Sequence, residues 1–125
     1  MTLIDRRGVM KGAVAGAMLL GAPASLMATP PVPRFFIYDG RFTRAIADAR
    51  IWTERGVQLI DGRDIDLGQA WRTVLTAGRL QGGTVTGLTL WMDSYICETF
   101  GRDHGLAMVR RDTQADSGLQ HWILQ

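Results

Sequence analysis

The chain is poor in the residue types that build metal and redox sites. It has one cysteine, Cys97, so it cannot form an intramolecular disulfide, and it has two histidines, His104 and His121. A structural zinc site needs about four closely spaced Cys or His ligands, and haem attachment or an iron–sulfur cluster needs several cysteines. We therefore expect no bound transition metal and no cofactor.

Lysine is also scarce, and what basic excess exists lies at the start of the chain. Three of the 14 basic residues (Arg6, Arg7 and Lys11) and one of the 12 acidic residues (Asp5) fall within residues 1–28, so 11 of each remain and the net charge of +2 becomes zero. A nucleic-acid-binding domain is usually basic. Nucleic acid is therefore not expected as a partner.

The first residues have the composition of an export signal. Such signals begin with cationic residues and continue with about 7–15 apolar residues before a small-residue cleavage site. Arg6, Arg7 and Lys11 precede the apolar stretch Gly12–Leu20, which is rich in glycine and alanine. This arrangement predicts that the chain leaves the cytoplasm.

The motif DRRGVMK resembles a twin-arginine (Tat) signal, whose pattern is Ser/Thr-Arg-Arg-x-Phe-Leu-Lys. Both arginines and the lysine match, whereas Asp5, Val9 and Met10 replace the usual Ser/Thr, Phe and Leu. The resemblance implies that the Tat export machinery carries the folded protein into the periplasm of a Gram-negative bacterium. The rest of the chain resembles small exported proteins of such bacteria, a likeness that implies no activity.

Cleavage after Ala28 or after Ala24 would follow small residues, and we favour Ala28 because Thr29–Pro33 then makes an extended start. The chain then divides into a signal, residues 1–28, and a domain, residues 29–125. An uncleaved membrane anchor is the alternative. A spanning helix needs about 20 apolar residues, and Pro23 interrupts this stretch earlier.

The domain has the pattern of a small α/β fold with a partly parallel sheet of about four to five strands and about three helices. Turn dipeptides at Asp39-Gly40 and Asp61-Gly62 end the first two apolar runs. A helical pattern between two strands favours a parallel pair with a crossover helix. The predicted strands are 35–38, 57–60, 84–86, 106–110 and 121–124. The predicted helices are 43–55, 67–77 and 90–100. Thr43 is expected to cap the first helix, and Asp66 and Gly78 to begin and end the second. The polar residues 111–118 are predicted to form a loop.

A candidate ligand site lies where the third strand is predicted to turn into the last helix. Gly87 and Thr89 stand in this turn, and ligands of open α/β sheets bind at the carboxyl ends of strands, where helix N-termini attract anions. Asp93, Ser94 and His104 follow and would lie nearby. An ordinary turn with Thr89 as helix cap is the competing interpretation, because no phosphate-binding glycine motif is present.

Two further groups of residues are candidate sites. Cys97 and His104 could form a nucleophile and its base, but seven residues of helix would separate them by about 10 Å. A free cysteine is more often a small buried hydrophobe. Asp61, Asp64 and Asp66 offer oxygen ligands for calcium, yet their spacing does not match a calcium-binding loop, and turn formation and helix capping explain two of them.

Tryptophan is abundant for a domain of this size. Trp52, Trp71, Trp91 and Trp122 all lie beyond the signal, and most are expected in the core. Trp91 and Tyr95 are one helical turn apart on a face that would otherwise be polar. An exposed Trp91–Tyr95 pair would mark a surface for a partner.

The sequence leaves two functions open. The first is a periplasmic protein that acts by binding, as an accessory or interaction partner of another exported protein. The second is a small-ligand-binding domain or enzyme that uses the turn at Gly87–Thr89. No residue set in the sequence indicates catalysis, and a membrane contact is expected only if the signal is kept.

Overall fold

Short apolar runs that end at Asp-Gly turns form the first two strands of the sheet. The computed structural model describes residues 32–125, in which β1 (Phe35–Tyr38) and β2 (Gln58–Asp61) pair in parallel. Helix α1 (Thr43–Glu54) connects them, as the alternation of strand and helical patterns predicts. The predicted export signal, with Arg6, Arg7 and Lys11, and the predicted cleavage after Ala28 lie outside the described residues.

The second half of the domain completes a mixed sheet. Strand β3 (Val85–Thr89) runs parallel to β1 on the side away from β2, and β4 (Met108–Thr113) and β5 (Gln120–Leu124) form an antiparallel hairpin. Because β5 pairs with β3, the order across the sheet is β2-β1-β3-β5-β4. The predicted small α/β fold with a partly parallel sheet is confirmed.

The helices lie on both faces of the sheet, and each face has its own core. Helix α1 covers one face, where Ala45 and Ala49 meet Phe36, Leu88 and Leu119. The other face carries α2 (Leu67–Thr73), α3 (Ala77–Leu80) and α4 (Trp91–Asp103). Its core includes the fully buried Trp71, Trp122, Leu75 and Leu124. No helix within residues 32–125 is long and apolar enough to cross a membrane.

One predicted helix is two helices in the structure. The expected segment 67–77 breaks between α2 and α3, because the β-branched Thr73 and Val74 favour helix poorly and Leu75 turns into the core. Gly78 lies inside α3 rather than at its end. The helix instead ends at Gln81, whose φ of 51° lies in the left-handed region.

The hairpin and the start of α1 also differ from the prediction. Strand β4 continues through Thr113, so Arg111 to Thr113, predicted as loop, are paired with β5. The side chain of Thr43 does not cap α1, because the helix begins after Phe42, which precedes it in an extended conformation. The side chain of Asp66 does cap α2, as predicted, by accepting a hydrogen bond of 2.9 Å from the Gln69 N–H.

Candidate functional site

The carboxyl ends of the parallel strands β1, β2 and β3 lie side by side, and we call this end of the sheet the carboxyl edge. The chain leaves β1 towards β2 on one side, while β3 lies on the other side of β1. Such a reversal of strand order is where open α/β sheets place their ligands. In this protein the edge carries Asp39 after β1, Asp61 at the end of β2, and the first turn of α4 after β3.

Asp39 is bonded within its own loop, and Asp61 is bonded to its own loop and to the loop that follows β1. Buried Asp39 accepts hydrogen bonds from the Arg41 backbone N–H at 3.0 Å and from its guanidinium at 3.0 and 2.6 Å. These bonds hold the pKa of Asp39 below its ordinary value, against the opposing effect of burial. Asp61 accepts from the N–H groups of Gly40 at 3.0 Å and Arg63 at 2.9 Å. Sequence reasoning missed the Asp39–Arg41 pair, since the Asp-Gly dipeptide signalled only a turn.

Asp93 extends this edge from the first turn of α4. It is half-buried, and burial, followed by the negative charge of Asp39, raises the pKa of its carboxyl above the ordinary value, while Arg41 opposes the shift. The site residue Asp93 therefore lies near the Asp39–Arg41 pair. Ser94, beside it, is buried and donates its hydroxyl to the Trp91 carbonyl at 2.8 Å, an interaction within the helix.

Gly87 and Thr89 lie in strand β3 rather than in a turn. The indole of Trp122, on the neighbouring strand, packs directly over Gly87, where a Cβ would overlap the ring. The Thr89 hydroxyl accepts a hydrogen bond of 3.0 Å from the Trp122 indole N–H and donates one to the Leu90 carbonyl. The prediction of a turn containing both residues, with Thr89 as a possible cap, is therefore wrong. Gly87 leaves space for the Trp122 ring in the core, and Thr89 accepts its hydrogen bond.

His104 lies at the far end of α4 from Asp93. Eleven residues of helix separate the two by about 16 Å. The His104 ring lies 5.4 Å from that of Trp71, between centroids, and its Nδ1 is 3.1 Å from the Phe100 carbonyl. The structure does not bring His104 to the end of β3. It packs at the end of its helix.

The remaining candidate groups are structural as well. Cys97 is fully buried in the core under α4, and burial raises the pKa of its thiol to about 12, so the thiolate needed for nucleophilic attack is disfavoured. Asp61 holds a turn and Asp66 caps a helix. Within residues 32–125, no three His, Cys, Asp or Glu side chains are grouped to hold a metal ion.

Three large apolar side chains at the start of α4 are exposed to solvent. Trp91 and Tyr95 stack with their ring centroids 5.7 Å apart and their planes 12° from parallel, and they are 53% and 49% exposed. Met92, between them in sequence, is 58% exposed. We call Trp91, Met92 and Tyr95 the aromatic surface. Trp52 differs, since it packs against Phe36 on the α1 side of the sheet.

Comparisons with known proteins return no relatives. No family model matches the chain, and neither the curated proteins nor the solved structures contain a match.

Proposed function

We propose that this chain is exported through the Tat pathway and that its domain acts by binding another exported protein through the aromatic surface. The observation that carries the proposal is the exposed, stacked Trp91–Tyr95 pair with Met92 beside it. Contiguous exposed apolar side chains of this size mark interaction sites on soluble domains, and Trp and Tyr are the residues most enriched at binding hot spots.

The aromatic surface can supply a large part of the binding energy of a wider interface. Each large aromatic side chain offers about 150–250 Å², and about half of each ring remains open here. Covering roughly 100 Å² per ring contributes about 2.5 kcal/mol per ring at 25 cal/mol per Å². The stack holds both rings in one orientation, which reduces the conformational entropy lost when a partner covers them.

The positions of Gly87 and Thr89 argue against the alternative of a small-ligand site there. Their side of β3 is filled by Trp122, and the Thr89 hydroxyl is already used in two hydrogen bonds. His104 lies at the opposite end of α4. The residues predicted to share a ligand are therefore divided between a packed strand and two ends of one helix.

The proposed export rests on Arg6, Arg7 and Lys11, and the domain is compatible with loss of residues 1–28. The first hydrogen bond that aligns β1 is donated by the Arg34 N–H to the Thr84 carbonyl at 2.8 Å. Cleavage after Ala28 therefore leaves every described strand whole. Replacing Arg6 and Arg7 by lysine is expected to abolish export, and mass spectrometry of the exported protein should give Thr29 as its first residue. A retained signal would support an anchor instead.

The binding proposal is tested by capture from the periplasm of the native host without crosslinking. We expect one stoichiometric exported partner with the wild-type chain and at least ten-fold less of it with the Trp91→Ala/Tyr95→Ala variant, because a hot-spot residue contributes about 2 kcal/mol or more. The matched control is Ile51→Ala, a 56% exposed apolar residue on α1, which should capture the partner normally.

Two outcomes would contradict the proposal. Undiminished capture by a folded Trp91→Ala/Tyr95→Ala variant would move the interface away from the aromatic surface. A chain that captures no partner in any form would overturn the binding function. Circular dichroism and the unfolding midpoint of each variant establish that a loss of capture does not follow from a loss of fold.

A further inference from the structure

Strand β4 lies at an edge of the sheet, with β5 as its neighbour among the described residues. An edge strand presents unpaired backbone N–H and C=O groups on its outer side. Most edge strands carry charges or a bulge that discourage pairing. β4 has both, since it carries Arg110, Arg111 and Asp112 and is irregular between Met108 and Arg110. The regular part, 110–113, has a pattern that fits one particular partner.

The backbone direction of each residue in β4 follows from its hydrogen bonds to β5. The Gln114 N–H donates to the Leu119 carbonyl at 2.7 Å, so residue 114 faces β5. Residues alternate in an antiparallel pair, so Asp112 and Arg110 also face β5. Arg111 and Thr113 therefore turn their N–H and C=O groups outward, away from the sheet.

The charges of β4 are complementary to those of a second β4 placed antiparallel about Arg111. In that register Arg110 of one copy lies opposite Asp112 of the other, and the same pair recurs on the other side of the two-fold axis. These are the closely spaced positions that lack backbone hydrogen bonds, where side chains contact most directly. Val109, a 56% exposed apolar side chain, lies opposite Thr113.

The central Arg111 residues would meet as like charges, but each guanidinium is ion-paired with a carboxylate of its own copy. The Arg111 guanidinium donates to Glu98 of α4 at 2.9 Å, and Arg102 lies 3.4 Å from the same carboxylate. The Arg111 backbone then exchanges both of its hydrogen bonds with its counterpart. Each copy also keeps its own Arg110–Asp112 ion pair of 2.5 Å, so the two pairs together form a cluster of four alternating charges.

We propose that β4 pairs with β4 of a second copy of this chain, antiparallel about Arg111, so that one sheet runs through both copies. A two-fold interface of this kind matches each residue with its complement twice. The charges that repel other strands are complementary to those of this one. The interface is small, so we expect a dissociation constant in the micromolar range. This proposal goes beyond the proposed partner binding, which uses the start of α4.

Cysteine crosslinking tests the register in the purified full chain. Arg111→Cys places two thiols at residues that oppose each other with Cα atoms about 5.5 Å apart, which a disulfide can span. We expect a disulfide-linked dimer on mild oxidation, because native Cys97 is buried. The matched control is Thr113→Cys, which should remain monomeric under denaturing electrophoresis, since its counterpart lies four residues away, about 13 Å along the strands.

Charge reversal tests the complementarity by sedimentation equilibrium. The wild-type dimer should have a dissociation constant below about 100 μM. Asp112→Arg should raise that constant at least about ten-fold, because it sets Arg110 of one copy opposite an arginine of the other. The double swap Arg110→Asp/Asp112→Arg restores every pair and should restore the dimer. Asp103→Arg, an exposed change on α4, is the control and should leave dimerisation unchanged.

The possible outcomes separate this proposal from the proposed function. A monomeric wild type, or a dimer that survives Asp112→Arg, would overturn the β4 interface without bearing on capture of an exported partner. Crosslinking of Thr113→Cys at the same rate as Arg111→Cys would overturn the register. A chain that captures no exported partner in any form but still dimerises through β4 would overturn the proposed function and leave this proposal standing.

Discussion

Replacing Gly87 by alanine should strongly destabilise the domain. The added Cβ would overlap the ring of Trp122, which is fully buried and held by the hydrogen bond to Thr89. Both the ring and the strand beneath it are buried. Relief therefore requires that the indole shift and lose its 3.0 Å bond.

The expected cost has two parts. Overpacking a core costs about 1–3 kcal/mol, and leaving the buried indole N–H without its acceptor costs about 1–3 kcal/mol. Together they predict that Gly87→Ala lowers the free energy of unfolding by roughly 2–6 kcal/mol. That is a large share of the total of about 5–15 kcal/mol typical of small domains.

Urea unfolding followed by tryptophan fluorescence measures this effect. We expect the midpoint to fall by roughly 1 M or more. Gly78→Ala is the matched control, because Gly78 lies in α3 with open space where its Cβ would stand, and alanine there should leave stability unchanged or raise it by up to about 1 kcal/mol. Thr89→Val removes the acceptor of the Trp122 indole N–H without adding a group beside the ring, so its urea midpoint measures the hydrogen bond alone. A Gly87→Ala midpoint equal to that of wild type would refute the packing described for Trp122.

Three further predictions concern titratable groups. The Cys97 thiol, whose pKa burial raises to about 12, should react with a thiol reagent at neutral pH only after unfolding, and rapid labelling of the folded chain would contradict its burial. Burial, followed by the charge of Arg110, lowers the pKa of His121 below 6.5, so the unfolded state takes up a proton first and stability should decline as the pH falls below 6.5 towards the folded pKa. NMR titration of His121 checks this, and a midpoint at or above 6.5 would refute it. Hydrogen bonds from Arg41 lower the pKa of Asp39, so its stabilisation is present above about pH 4 and is lost as the pH falls through the folded pKa. Asp39→Asn should weaken the dependence of the urea midpoint on pH below about pH 4. An unchanged dependence would show that the Asp39–Arg41 pair contributes nothing to stability.

Local signals in the sequence were sufficient for the first half of the fold. Asp-Gly dipeptides end or follow β1 and β2, and the apolar spacing of 43–55 identified α1, so the parallel pair could be predicted without tertiary information. The end of the segment 67–77 could not be predicted, because Leu75 leaves the helical path to reach the core on the α4 side of the sheet. Tertiary burial there overrides the helical period.

The site was predictable only where it depends on helical spacing. Trp91 and Tyr95 are four residues apart, which fixes them on one face of α4. The placement of Gly87 was not predictable, because a glycine within a strand and one in a turn look alike until the partner strand is known, and Trp122 comes 35 residues later. His104 was misplaced because the helix carries it away from the strand ends instead of folding back.

The order of strands in the sheet also restricts how synthesis and folding can be coupled. β5 is the last of the described strands to be made, yet it lies between β3 and β4. Until Gln120–Leu124 emerge from the ribosome, β4 has no neighbour, and the core on the α4 side lacks both Trp122 and Leu124. Cotranslational folding can therefore assemble β1, β2 and β3 but cannot close the sheet. A nascent chain stalled before residue 120 should be protease-sensitive, and one extended past residue 125 should become resistant in a single step.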